Sequence, residues 1–286
     1  MVAQRGTCLS MNKKTAIIVS GGGMTCAYSA GVILALVDKY HLTKPDIVIG
    51  GSASTGTLAY YVAGQYSSIR RVWCELLPTR KLISLLRFWR FVNVDYLIDE
   101  IFCKKEPISL KRIYSSRINY LIAVTEWKTG KVEYFSNKSR DDIIEAMRAS
   151  MAVPIAYNKR VCIKGKNYCD TFISSQIENN VYKAIELGAE RLIIIENNYY
   201  SRIVYWMYDL WLFLQNKQFR TSHKEFVEIK KCFSIPENIK VIFITPHKKV
   251  SAWVFTRSRN NLNDTFAQGY EETVHNRKLK SFLGFG

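Results

Sequence analysis

Apolar positions along the chain come in short blocks separated by turns of small residues. Thr15-Ala-Ile-Ile-Val-Ser20 runs straight into Gly21-Gly22-Gly23, which predicts a buried strand feeding a glycine-rich turn. Ala27 to Tyr40, apolar at Ala30, Val32, Ile33, Leu34, Leu36 and Val37, predicts a buried helix. The pattern repeats after Pro45: Asp46 to Ile49 reads as a strand, Gly50 to Gly56 as a turn, and Thr57 to Gly64 as a helix. Two successive strand-turn-helix units predict an α/β fold whose sheet is largely parallel and buried.

Further along, Ile118 to Val124 and Val132 to Phe135 predict a strand pair joined around Thr129-Gly130. Asp141 to Met151 predicts a helix stopped before Pro154. Val161 to Tyr168 reads as a hairpin turning at Gly165, Val181 to Leu187 as a helix ended by Gly188, and Arg191 to Glu196 as a buried strand. Val241 to Ile244 is the last strand and Asn263 to Lys278 a closing helix.

Two stretches break this rhythm. Ile69 to Ile101 is aromatic and basic, and within it Leu82 to Phe91 reads as an amphipathic helix carrying Arg87 and Arg90, suited to an anionic bilayer surface. Ile203 to Leu214 is the most apolar and aromatic segment, with Asp209 its one charge; lid, packed helix and membrane foot all fit it. No shift of composition divides the chain. The reading is an N-terminal extension over 1–14 and a single α/β domain over 15–286, with an insert about 69–101 and a helical part about 198–286.

Composition narrows the partners. With 48% hydrophobic residues the 286-residue chain can build a packed core, and no repeat points to a fibrous or disordered class. A net charge of +17 calls for an anionic partner, whether membrane surface, substrate or nucleic acid. Nucleic acid ranks last, since no zinc finger, ribonucleoprotein sequence or arginine-rich arm is present. The seven cysteines are scattered without metal spacing, which predicts a reduced, cytoplasmic protein without structural zinc. No apolar run approaches the roughly 18 residues of a membrane span, and Met1 to Lys14 lacks the apolar core of a secretory signal.

The candidate chemistry lies in the turns. The amides of Gly21-Gly22-Gly23, where a strand gives way to a helix, suit a phosphate or an oxyanion. The spacing lacks the third glycine and the strand-end acid of a dinucleotide fingerprint, and no Gly-Lys-Ser/Thr of a phosphate loop follows. Gly50-Gly-Ser-Ala-Ser-Thr-Gly56 has the small residues of a nucleophile elbow, in two registers. Ser52 has Gly50 two before it and Ser54 two after; Ser54 has Ser52 before and Gly56 after. A glycine at the later position lets the helix close onto the sheet, which favours Ser54 as nucleophile and leaves Ser52 as the alternative. The histidines, His41, His223, His247 and His275, fall in no motif. A Ser-His-Asp triad stays open without a motif to support it; a carboxylate could instead act directly on the serine, and Asp170, leaving the strand Asn167 to Cys169, is the candidate.

The order of Gly21-Gly-Gly-Met, a serine elbow some thirty residues on, Glu145-Ala-Met-Arg-Ala-Ser-Met-Ala-Val-Pro154, and an Asp leaving a short strand resembles the patatin-like phospholipase family, most nearly its bacterial branch, over roughly Ala16 to Asn197. The resemblance implies a three-layer α/β/α fold with a largely parallel central sheet. It also implies phospholipase A or lysophospholipase-like hydrolysis of acyl esters by a Ser-Asp dyad, without histidine, metal or other cofactor. Carried onto this chain, Ser54 (alternatively Ser52) is the nucleophile, Asp170 the general base, and the amides of Gly21, Gly22 and Gly23 the oxyanion hole. The implied partners are a phospholipid or other lipid ester and an anionic membrane surface, with the protein cytoplasmic and peripheral at the membrane. Two departures stand out: Thr25-Cys26 where the family has a basic residue and a glycine, and Thr171-Phe172 where it has small residues. They motivate the alternative of a catalytically weak or inactive member that binds lipid or a partner.

Overall fold

The computed structural model describes residues 13–84, 86–87, 90–154, 156–157, 159–174, 177–197 and 202–284, without the side chains of 173, 202–205 and 207. Most of the N-terminal extension, and Leu85, Phe88 and Trp89 of the insert, lie outside the described residues. Among these residues eight strands form one sheet: β1 (Thr15–Val19), β2 (Ile47–Gly51), β3 (Asn119–Glu126), β4 (Val132–Ser136), β5 (Val161–Ile163), β6 (Lys166–Cys169), β7 (Arg191–Ile195) and β8 (Lys240–Ile244). The five strands β3-β2-β1-β7-β8 are parallel and central. β4 and β6 both pair antiparallel with β3, and β5 pairs with β6, so the sheet is mixed.

Side-chain alternation divides β1 between the two faces. Ile17 and Val19 join the larger core, with Val48, Ile122 and Ile193; Ala16 and Ile18 join the smaller one, with Ile47, Ile49 and Ile194. The larger core is covered by α1 (Ala27–Asp38), α2 (Ser54–Val62), α3 (Tyr66–Arg71), α4 (Leu110–Ser115), α5 (Ile143–Ser150), α9 (Arg259–Val274) and α10 (Arg277–Leu283). On the other face α6 (Glu178–Glu186) contributes Val181 and Ala184. Helices on both faces of this sheet make the three-layer α/β/α architecture. Helix α7 (Arg202–Phe213) and helix α8 (Lys217–Lys231) enclose a third apolar cluster around Cys169, Tyr208 and Phe219.

The insert departs from its sequence pattern. After α3 the chain continues as two π-helical stretches, Val72–Leu76 and Tyr96–Lys105, but the described residues of Leu82 to Phe91 form no helix. Ile83 bridges Val92 antiparallel, and the Ser84 and Asn93 amides donate to the carbonyls of Phe91 and Leu82. The arginines that point to an anionic surface in the sequence turn inward. Arg87 donates to the carbonyls of Arg80, Lys81 and Leu82, and Arg90 pairs with Asp95. Asp95 also binds Arg148, Lys159 and Tyr157, fastening the insert to α5.

Candidate active site

The glycine loop and the serine turn leave β1 and β2 side by side at their C-terminal ends, since Val19 lies opposite Gly50 and Ile195. β1 is also where the chain order reverses, with β2 on one side and β7 on the other, the crevice in which open α/β sheets bind ligands.

At the β2 turn the bend is at Ser52. Its φ is +54°, a left-handed conformation that a serine holds only when its surroundings enforce it. Its amide donates to Ser150 Oγ at 2.8 Å, and its carbonyl accepts from the amide and hydroxyl of Thr55 at 3.1 and 2.8 Å. Ser54, the register the sequence favours, already lies in α2 and is fully buried. Its hydroxyl donates to the Gly51 carbonyl at 2.8 Å and accepts from the Gly51 amide at 3.2 Å, bracing the bend from beneath. A Cβ at Gly50 would come within 3.0 Å of that hydroxyl, so the small residues before and after the bend meet across it.

Ser52 lines a cavity of about 180 Å³ together with Gly22, Gly23 and Asp170; Ser54 does not. The insert supplies much of the rest of the lining, through Leu82, Ile83, Phe91 and Val92, and Tyr208 and Trp211 of α7 close it on another side. Thr57, Tyr60, Trp73 and Tyr208 also line it, but their polar atoms bond one another or groups behind the wall. No histidine lines it. Among the described residues no group of three His, Cys, Asp or Glu side chains converges to hold a metal.

Asp170 is fully buried at the end of β6. Its amide donates to the Ala152 carbonyl at 3.0 Å and its carbonyl accepts from Thr125 Oγ1 at 2.8 Å. Oδ1 caps the turn by accepting from the Phe172 amide at 2.7 Å, whereas Oδ2 has no hydrogen-bond partner among the described residues. Burial pushes the carboxyl up to about 7, opposed by the Phe172 amide and the facing Ser52 hydroxyl. The end of α5 thus fixes both groups, Ser150 holding the serine bend and Ala152 the acid. Ser150 in turn donates to the Ala123 carbonyl of β3 at 2.7 Å.

In the glycine loop, Gly22 and Gly23 have φ of +145° and +56°, and a Cβ at either would strike Thr25 Oγ1 or the Val254 carbonyl at 2.5 and 2.7 Å. The amide and hydroxyl of Thr25 both donate to the Gly22 carbonyl, at 3.2 and 2.8 Å, which turns the Gly23 N–H to the opposite side of that peptide plane. No described residue accepts from the N–H groups of Gly22 or Gly23. Gly21 stands back from the cavity, its carbonyl held by Asn197.

Asn197 has no signal in the sequence, being a lone Asn after a strand. It is buried at the end of β7 and clamps the glycine loop. Its Nδ2 donates to the carbonyls of Ser20 and Gly21 at 3.0 and 3.2 Å, and its Oδ1 accepts from the Ser29 amide of α1 at 3.2 Å.

The departures from the family pattern are accommodated locally. Cys26 has φ −63°, so its backbone does not require glycine, and burial pushes its thiol well up, away from a nucleophilic thiolate. Thr171 packs where a Cβ at position 51 would lie only 2.2 Å from its Cγ2, so Gly51 makes room for it. Phe172 meets Tyr208 edge-on at 5.5 Å, linking the acid's turn to α7.

The family model for patatin-like phospholipases matches residues 17–177. The uncharacterized protein YjjU of Escherichia coli strain K12 is 26% identical over 188 residues, covering 64% of this chain and 51% of YjjU; the chain therefore spans about half the length of that curated relative. Among solved structures, VipD from Legionella pneumophila aligns over 96% of this chain and 67% of its own, with a TM-score of 0.56 at 14% identity, and shares the fold.

Proposed function

The chain belongs to the patatin-like phospholipase family, and on that premise we propose that it is a serine-dependent lipid acyl hydrolase with Ser52 as nucleophile and Asp170 as base. The observation that carries the reading is the unpartnered, buried Oδ2 of Asp170 in the same apolar cavity as a serine held at a left-handed bend. Asp170 takes the Ser52 proton as Oγ attacks the ester carbonyl, and the Gly22 and Gly23 amides receive the developing oxyanion. The intermediate collapses, the alcohol leaves with the proton from Asp170, and an acyl-serine remains. Asp170 then deprotonates a water that attacks the acyl carbon, releasing the fatty acid and regenerating the serine. Release of fatty acid from phospholipid vesicles tests this. Vesicle binding without release would favour the inactive-binder alternative, whose sequence grounds at Cys26 and Thr171 are weakened by the local fit of both residues.

Asn197 acts in this scheme as a positioning residue for the oxyanion loop. Asn197→Ala is expected to lower kcat for fatty-acid release by about ten- to a hundredfold with KM little changed. An unchanged kcat would remove the clamp from the account.

The proposed site of action is an anionic membrane surface, with the protein cytoplasmic and held peripherally. The net charge of +17 supports this, as does the outer face of α7. Trp206, Leu210, Phe213 and Leu214 lie along one side of the helix or just past its end and are 66, 55, 71 and 74% exposed, while Tyr208 and Trp211 face the cavity. No described helix is long and apolar enough to cross a membrane. Exchanging Trp206, Leu210 and Phe213 together for serine is expected to weaken partitioning onto anionic vesicles by about a hundredfold or more, with helix content unchanged by circular dichroism. Undiminished partitioning would take α7 out of the docking surface.

A further inference from the structure

The cavity that holds Ser52 has a mouth and a closed end. Ala53, Gly56, Thr57 and Tyr60 line it from one side of α2 and the residue before it, so it follows that helix for about 10 Å, the rise of two turns. The mouth lies at the Ser52 end, where half-buried Phe172 follows Asp170 and half-buried Val254 sits against Gly23. The insert closes the other end. There Val72, Trp73 and Phe102 join Tyr60 in the lining, and all of them are no more than 4% exposed, so buried side chains seal it.

Direct contacts tie this end wall to α2. Trp73 Nε1 donates to Thr57 Oγ1 at 2.8 Å. Phe102 meets Tyr60 edge-on with ring centroids 5.8 Å apart, and a Cβ at Gly56 would lie 2.5 Å from Phe102 Cζ, so the ring stands directly against the helix. The Tyr60 hydroxyl donates to the Glu106 carbonyl at 2.6 Å. The polar atoms of the wall are thus committed to partners, and what faces the space is hydrocarbon. An apolar cavity of about 150 Å³ takes one benzene molecule, so the space of about 180 Å³ here takes a single chain of about eight carbons.

We propose that Trp73 and Phe102 determine acyl-chain specificity, stopping the chain at about eight carbons counted from the carbonyl at Ser52. Each methylene up to the wall leaves water for hydrocarbon, whereas further carbons must stay in the mouth or displace packed rings, so longer esters react more slowly. The strand-end turns supply the nucleophile and the base, and the insert sets the length. This rests on the hydrolase reading above for the reaction, while the dimensions of the chain site stand on the cavity alone.

The test is calorimetric titration of the wild-type protein with hexanol, octanol, decanol and dodecanol, which carry a chain but no ester, repeated with Trp73→Leu and with Phe102→Ala. Melting temperature establishes which variants fold. Affinity is expected to rise about fourfold per methylene from hexanol to octanol, and by less than about threefold in all from octanol to dodecanol. In a folded variant the rise should continue to decanol. A wild-type rise that keeps the same increment to dodecanol, or a break at octanol that stays put in a folded variant, overturns the proposal; should neither variant fold, the wild-type series decides. Ester hydrolysis is scored separately. The kcat/KM for p-nitrophenyl octanoate should exceed that for the dodecanoate by about tenfold or more, and Trp73→Leu should bring the ratio close to one. Equal wild-type values for the two esters also overturn the proposal, whereas no hydrolysis of either, with the break in place, sinks the hydrolase reading and leaves the chain site standing.

Discussion

Replacing Ser52 by alanine is expected to lower fatty-acid release by about a thousandfold or more, whereas Ser54→Ala keeps it within about tenfold of the wild type. The two serines are only two positions apart, but their surroundings separate them. Ser52 is held at φ +54° on the cavity wall, and its exchange removes the attacking oxygen while sparing the backbone bonds to Ser150 and Thr55. Ser54 has no access to the cavity; its loss removes a hydrogen bond to Gly51 from the base of the bend, a stability cost of about 1 kcal/mol. The measurement is a rate of fatty-acid release by each variant, with melting temperature as the control for folding. A Ser54→Ala protein as inactive as Ser52→Ala would return the nucleophile to the other register.

Asp170→Asn is expected to abolish release to a similar extent and, at pH 8, to raise the melting temperature. The unfolded carboxyl titrates near 4 and the folded one near 7, raised chiefly by burial. A group whose folded pKa is raised contributes its full stability below the unfolded value and loses that contribution as pH climbs to the folded value. The wild type therefore forfeits stability between about pH 4 and pH 7 through holding a charge in a buried site, and the neutral amide does not. The asparagine can still accept from the Phe172 amide, so the turn survives. The gain should be several degrees at pH 8, shrink as pH falls through 7, and vanish near pH 4. In the wild type kcat/KM should rise with pH through about 7, as the base loses its proton. A melting difference independent of pH, or activity that falls as pH rises through 7, would contradict this assignment of Asp170.

Much of this arrangement is legible in the sequence because it depends on local chemistry. The apolar runs at Thr15–Val19 and Ile47–Gly51, each followed by small residues, specify buried parallel strands with turns at one end of the sheet. The serine register is harder to read, because it depends on where α2 begins. The helix starts at Ser54 itself, so the bend falls at Ser52, and Ser54 takes the place a glycine would otherwise fill. Leu82 to Phe91 has helical spacing, yet what ties it to the fold is distant in sequence: Arg90 pairs with Asp95, Asp95 finds Arg148 and Lys159, and Leu82, Ile83 and Phe91 line the cavity. α8 buries Phe219, Ser222 and Phe226 in fifteen residues, its other positions being mostly polar or charged. Asn197 acquires meaning only once β7 and the glycine loop are brought together.

The most direct measurement is the residue that an alkyl fluorophosphonate modifies, read by mass spectrometry of peptides from the labelled full-length protein. The account predicts a covalent adduct on Ser52, absent from Asp170→Asn protein treated for the same time at pH 8. An adduct on Ser54, or a folded protein that hydrolyses lipid but carries no label on Ser52, would contradict it.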